Sequence, residues 1–156
     1  MSIELDVRNC FTYNSTTGAL YQTLTGGDAA GQQTIDLGAT GKHHFSGRSP
    51  VYLNVRIKDA VTTGDGLTSI AFRLGSDTSS GFATALKQIL EFNIAIATMT
   101  AGAAIISVIL PDQSWQQHLR MYFNNVGGTA SAGSCWAWLS NVPLKIESQI
   151  DLVETA

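Results

Sequence analysis

Charge is what this sequence has least of. Only 13% of its 156 residues are Asp, Glu, Lys or Arg, about half the share of an ordinary soluble domain. The nine Lys and Arg residues are scattered from Arg8 to Lys145 against twelve acidic ones, for a net charge of −3. A phosphate-binding footprint needs clustered cations, so no nucleic-acid partner is expected. Cysteine is almost as scarce: Cys10 and Cys135 are too few for a disulfide framework. The opening MSIELDVRNCF puts Glu4 and Asp6 where a secretion signal needs positive charge followed by an apolar run. The sequon Asn14-Ser15-Thr16 is therefore read as coincidence. Helical periodicity is also rare. Only 80–90, SGFATALKQIL, has it, through Phe82, Leu86, Ile89 and Leu90, and is read as a short helix or a loop.

What is present is apolar and small. Hydrophobic residues make up 44% of the chain, with fifteen glycines. Surface scaling gives a folded area of roughly 7,600 Å² against about 24,000 Å² unfolded, enough to bury a real core. The longest uncharged stretch, 92–110 (FNIAIATMTAGAAIISVIL), has the nineteen residues of a membrane-spanning helix. Its inner pattern says otherwise. Leu90, Phe92, Ile94 and Ile96 alternate with Glu91, Asn93, Ala95 and Ala97, the period of a strand with one buried face. AIISVIL at 104–110 is rich in β-branched residues, Gly102 separates the runs, and Pro111-Asp112 ends the second. No cationic cluster flanks the segment to orient it in a bilayer. Two strands joined by a turn are expected, and no membrane partner.

The same alternation recurs in VYLNVRIK (51–58), LTSIAFRL (67–74) and HLRMYFN (118–124), while CWAWL (135–139) is apolar on both faces. Shorter strands are expected at 33–37 and near 144–150, about eight in all. Turn signals at Thr63-Gly64-Asp65-Gly66, Gly75-Ser76-Asp77, Asn124–Gly128 and Asn141-Val142-Pro143 separate them. Short strands with no internal repeat imply an all-β chain: an antiparallel β-sandwich of jelly-roll type. Residues 19–156 are read as its single domain. Residues 1–18, carrying Leu5, Val7, Phe11 and Tyr13, are read as an N-terminal arm that packs on a neighbouring subunit or on the surface of a larger partner.

Catalytic groups do not converge. His43 and His44 are adjacent in a loop with no nearby cysteine to complete a zinc set. His118 shares a polar strand face with Arg120 and Tyr122, no G-x-S-x-G elbow occurs, and the aspartates Asp59, Asp65 and Asp77 lack calcium-loop spacing. No enzyme activity, cofactor or metal is expected. Trp115, Trp136 and Trp138 remain. Trp136 and Trp138 share one strand face, which makes them core beneath a second covering, an interface anchor, or a sugar-binding platform. With Phe11 and Tyr13, the three tryptophans form the set of candidate protein-contact residues.

The order of motifs resembles one known family. TIDLGATG (34–41), SPVYLNVRIKDAVTTGDGLTSIAFRLGSD (49–77), TMTAGAAIISVILPD (98–112) and HLRMYFNNVGGTASAGSCWAWL (118–139) are similar to the capsid cement proteins of short-tailed bacteriophages of the Bordetella-phage type. The likeness spans roughly 20–142. The chain departs from it by about 18 extra residues at the start, by a His-rich loop at 42–48, and by Met121-Tyr122-Phe123 in place of an aliphatic run. The resemblance implies a virion structural protein, made in the host cytoplasm, that decorates the outer surface of an icosahedral head. Its partners would be the major capsid protein and itself, as a homo-oligomer, a dimer in preference to a trimer. The alternative is a carbohydrate-binding β-sandwich for host-surface glycan adhesion.

Overall fold

The computed structural model describes residues 7–38, 50–82, 87–111 and 115–144. Nine strands run through them: β1 Gln22–Thr23, β2 Ala29–Ala30, β3 Ile35–Asp36, β4 Tyr52–Thr63, β5 Ser69–Asp77, β6 Lys87–Ala95, β7 Ala104–Ile109, β8 His118–Val126 and β9 Ala130–Ser140. Among the described residues the only helical elements are single 3-10 turns at Val7–Asn9 and Ile96–Thr98.

Two antiparallel sheets result. The first has the order β1-β9-β4-β7 and the second β2-β8-β5-β6, with β3 also on β8. Strands β2 and β3 pair successive stretches of β8, Ala29 opposite Phe123 and Ile35 opposite Leu119, and so act as two pieces of one strand. Counted that way, the first strand pairs the last, the second the one before it, β4 pairs β7, and β5 pairs β6. Such nesting is an antiparallel ribbon rolled on itself. The roll then brings β4 against β9 and β5 against β8, which is the jelly-roll arrangement.

Alternation builds the core between the sheets. Leu53, Val55 and Ile57 of β4 and Cys135, Ala137 and Leu139 of β9 meet Ile70, Phe72 and Leu74 of β5 and Leu119, Met121 and Phe123 of β8. Each of the Leu, Val, Ile, Phe and Met side chains contributes about 1.5–3 kcal/mol when fully buried. Phe72 and Phe123 stand opposite each other across β5 and β8, edge to face at 5.6 Å. At one end the loop after β4 closes on the loop after β8. A Cβ on Gly128 would overlap the Asp65 carbonyl, so only glycine allows this approach.

The structure decides some expectations and leaves others outside the described residues. Of the two readings of 80–90, the structure shows the loop entering a strand where it is described: residues up to 82 form a turn and Lys87–Leu90 belong to β6. Pairing of Leu90 and Phe92 with Leu74 and Phe72 outweighs the weak helical spacing. Strands β6 and β7 follow one another but do not pair, because they lie in different sheets. The expected strand at 144–150 lies beyond Leu144, outside the described residues, as does the His43–His44 loop.

The last expectation concerns the arm, of which residues 7–18 are described. Phe11 is fully buried in the main core, its N–H donates to the Ala137 carbonyl at 2.8 Å, and its carbonyl accepts from Gln33 N at 2.9 Å. Cys10 bridges Trp138, while the Thr12 hydroxyl donates to the Leu20 carbonyl at 2.8 Å and accepts from Ala137 N at 3.1 Å. Residues 10–12 thus continue the β1 edge along β9 after a 13–21 excursion. The boundary at 18/19 cuts through one packed unit. Periodicity missed it because three residues carry no period.

Candidate functional site

The outward positions of the first sheet hold the candidate surface. On β4 these are Tyr52, Asn54, Arg56 and Lys58. Opposite them on β9 stand Ser140, Trp138 and Trp136, and opposite Tyr52 and Asn54 on β7 stand Ile109 and Ser107. Both faces of β9 are apolar, so this outer face needs a cover of its own, and two remote pieces of chain supply one. From the N-terminal side come Cys10 and Tyr13, and from the C-terminal side Leu144; with Trp138, Trp136 and Ala104 they form a second apolar cluster.

Asn54 fixes the C-terminal cover. It is 1% exposed, and a buried amide without partners would be costly. Its Nδ2 donates to the Val142 carbonyl at 3.0 Å, and its Oδ1 accepts from the Ser107 hydroxyl at 2.9 Å. The Ser107 oxygen in turn accepts from Leu144 N at 2.9 Å. The chain after β9 is therefore strapped across β4 and onto β7.

Next to the strap the surface is aromatic and charged. Trp136 is half-buried, and Arg56, its cross-strand partner, donates through Nε to the Gly102 carbonyl at 3.0 Å. The Lys58 ammonium lies 4.4 Å from the centre of the Tyr21 ring and 2.9 Å from Asp59 Oδ2. The Ser134 hydroxyl also donates to Asp59. That hydrogen bond, then the one from Lys58, hold the Asp59 carboxyl below the usual carboxylate range, and the Asp59 hydrogen bond raises Lys58. At the opposite end Ile109 and Val142 stand out, 52% and 65% exposed.

Of the five residues singled out from sequence, Tyr13, Trp136 and Trp138 come together here. Phe11 and Trp115 do not. Trp115 is fully buried in the main core, its indole N–H donating to the Pro111 carbonyl at 3.3 Å, so it is packing and not a contact group. Trp138 is the floor of the outer cluster. Sequence reasoning missed Asn54, Ser107 and Val142, since nothing local announces which segment will lie over a strand. Tyr21 and Lys58 were missed for the same reason.

The His118 Nδ1 lies 4.0 Å from Asp36 Oδ1, and Arg120 donates to the Gly31 carbonyl at 3.2 Å. Burial raises the Tyr122 hydroxyl. Both cysteines are free and buried, and burial pushes Cys10 up and Cys135 far up, so neither is poised as a thiolate. Among the described residues no group of three or more His, Cys, Asp or Glu is placed to hold a metal, and no helix is long and apolar enough to cross a membrane.

No curated protein matches the chain. A family model does, over residues 19–139, which takes in all nine strands except the last residue of β9. The family carries the name of a Bordetella phage protein, Bbp16. With that match spanning most of the sandwich, the chain belongs to the Bbp16 family.

Proposed function

We propose that this chain is a virion structural protein: a capsid cement that binds the outer surface of an icosahedral phage head and stabilises contacts between major capsid subunits. The observation that carries the reading is the phage-family match across the jelly roll. The outer face of the first sheet supports it. Half-buried Trp136 opposite Arg56, in one apolar cluster with Tyr13 and on the strand pair that Tyr21 leads into, is the kind of aromatic and Arg surface that anchors protein interfaces. A cement binds where several capsid subunits meet and so stabilises the shell over free subunits by mass action. As a homo-oligomer, a dimer in preference to a trimer, it gains effective concentration from simultaneous attachment, and each contact can be weak.

The test uses matured empty heads of the cognate phage, heated with and without the protein at low and high salt. Added protein should raise the disruption temperature at both, because few charges take part and screening removes little. Trp136→Ala should abolish the gain while leaving the fold intact. No binding to heads, or equal binding to isolated capsid subunits, overturns the reading.

One observation favours a second reading, a carbohydrate-binding module. Trp136, Tyr21, Lys58 and Asp59 place aromatic faces beside paired charges on one exposed sheet face. Glycan-array binding lost in Trp136→Ala would favour it over the cement.

A further inference from the structure

Two of the edge strands of the sandwich, β6 and β7, are unlike. In the second sheet the edge strand β6 carries Lys87 and Glu91. In the first, among the described residues, β7 pairs with β4 alone, and its sequence AIISVI has no charge and no proline. Charges and prolines are the usual guards against strand addition at an edge. The hydrogen-bond phase of β7 shows what it offers. Leu110 N donates to the Val51 carbonyl at 2.8 Å, so alternate residues Val108 and Ile106 turn toward β4. The N–H groups of Ser107 and Ile109 then point to the open edge.

The strap aims the chain at that edge. Leaving β9 at Ser140, it is held over β4 by Asn54 at Val142 and over β7 by Ser107 at Leu144. Residues 145–153, KIESQIDLV, continue from there, outside the described residues. Their pattern is that of a half-buried strand: Ile146, Ser148, Ile150 and Leu152 alternate with Lys145, Glu147, Gln149 and Asp151. Nine extended residues reach about 30 Å, longer than the roughly 20 Å of a six-residue strand. Between Leu144 and Ile150 there is no glycine, proline, asparagine or aspartate, and Ser148 is the one residue with turn preference, so a tight turn back along the parent's own β7 is disfavoured.

We propose that residues 145–153 of a second copy add to the open edge of β7, with Ile109 and Val142 covered in the contact. Exchanged reciprocally, the two strands close a two-fold dimer in which each copy extends the other's first sheet. This names the surface behind the homo-oligomer in the cement reading, but heads play no part in its test. Its failure would leave that reading standing, and the reverse.

The experiment compares the full chain with a chain ending at Leu144, by sedimentation and by hydrogen exchange. Truncation should weaken self-association by about tenfold or more, with the thermal midpoint of the sandwich unchanged when both are monomeric. A synthetic peptide of residues 145–153 should bind the truncated chain and slow exchange at the Ser107 and Ile109 amides. Should the truncated chain fail to fold, Ile109→Lys in the full chain gives the same readout: the position is exposed, and a charge there should block the edge. Equal association of truncated and full chains, or of Ile109→Lys and the unaltered chain, overturns the proposal. So does a full chain that stays monomeric. Protection of Ser107 and Ile109 independent of concentration would place the strand on its own copy and also overturn it.

Discussion

The two sheets share one core and follow the same alternation, yet their outer faces differ in kind. The second sheet turns polar groups outward and pairs several of them across the ladder, leaving the buried His118 Nδ1 without a hydrogen-bond partner among the described residues. Arg73 pairs with Glu91 directly across β5 and β6 at 3.1 Å, and both are partly exposed. Asp28 accepts from Asn124 Nδ2 at 3.0 Å and Asn125 N at 2.7 Å. Phe82, the one described non-glycine residue with positive φ, sets its ring near Tyr122 and the Arg120 guanidinium. The first sheet turns Trp136 and Trp138 outward and covers them with chain drawn from residues 10–13 and 142–144. A polar outer face completes itself with neighbours in the ladder. An apolar one has to recruit remote segments, and what they leave uncovered is available to a partner.

That contrast can be broken at several points. The largest effect is expected for Phe11→Ala, which opens a cavity where the N-terminal segment joins the core. Unfolding by urea should show a loss of about 3–5 kcal/mol. A loss near zero would mean the segment is a dispensable arm after all. Next comes Asn54→Ala, which strands the Val142 carbonyl and removes the anchor of the strap. A loss of about 2–3 kcal/mol is expected, with faster hydrogen exchange at Leu144. Asn54→Leu should not rescue it, since shape without hydrogen bonds leaves the carbonyl unpaired.

On the second sheet the counterpart is small. Arg73→Ala should cost no more than about 0.5 kcal/mol, because the pair with Glu91 is exposed and screened. A loss as large as that of Asn54→Ala would erase the contrast between the faces. The smallest effect is electrostatic, at Asp59. Its folded-state pKa is depressed, so its contribution is present above the ordinary carboxylate value and is lost as pH falls through the folded one. An NMR titration should place its midpoint below that of a free aspartate. Ser134→Ala should move the midpoint back up, since the Ser134 hydrogen bond is the leading cause. No movement would assign the depression to Lys58 instead.

Much of the fold can be read from particular residues. Leu53, Val55 and Ile57 against Asn54 and Arg56 identify β4 and its buried face by alternation alone. Leu119, Met121 and Phe123 do the same for β8. The same reading stops β4 at 58, whereas the strand runs to Thr63, because its last residues pair β9 through shifts in register that no alternation encodes. Strands β1 and β2 escape notice for a plainer reason: two residues have no period, and only their partners on β9 and β8 make them strands.

The candidate surface divides along the same line. Two apolar faces in CWAWL announce that something must lie over Trp136 and Trp138. Which segments do so is a matter of where the rolled ribbon brings the chain ends. Trp115 and Phe11, equally aromatic, vanish into the core for that reason.

The sequence by itself determined which residues alternate, which strands have a buried face, and that β9 has two. Those are local consequences of side-chain period and polarity. The tertiary structure decided the nesting of strand pairs, the arrival of Cys10, Tyr13 and Leu144 over the tryptophans, and the uncharged edge at β7 lying beside the strap. Each of these depends on contacts between residues far apart in the chain, whose free energy is realised only when the two sheets close on one core.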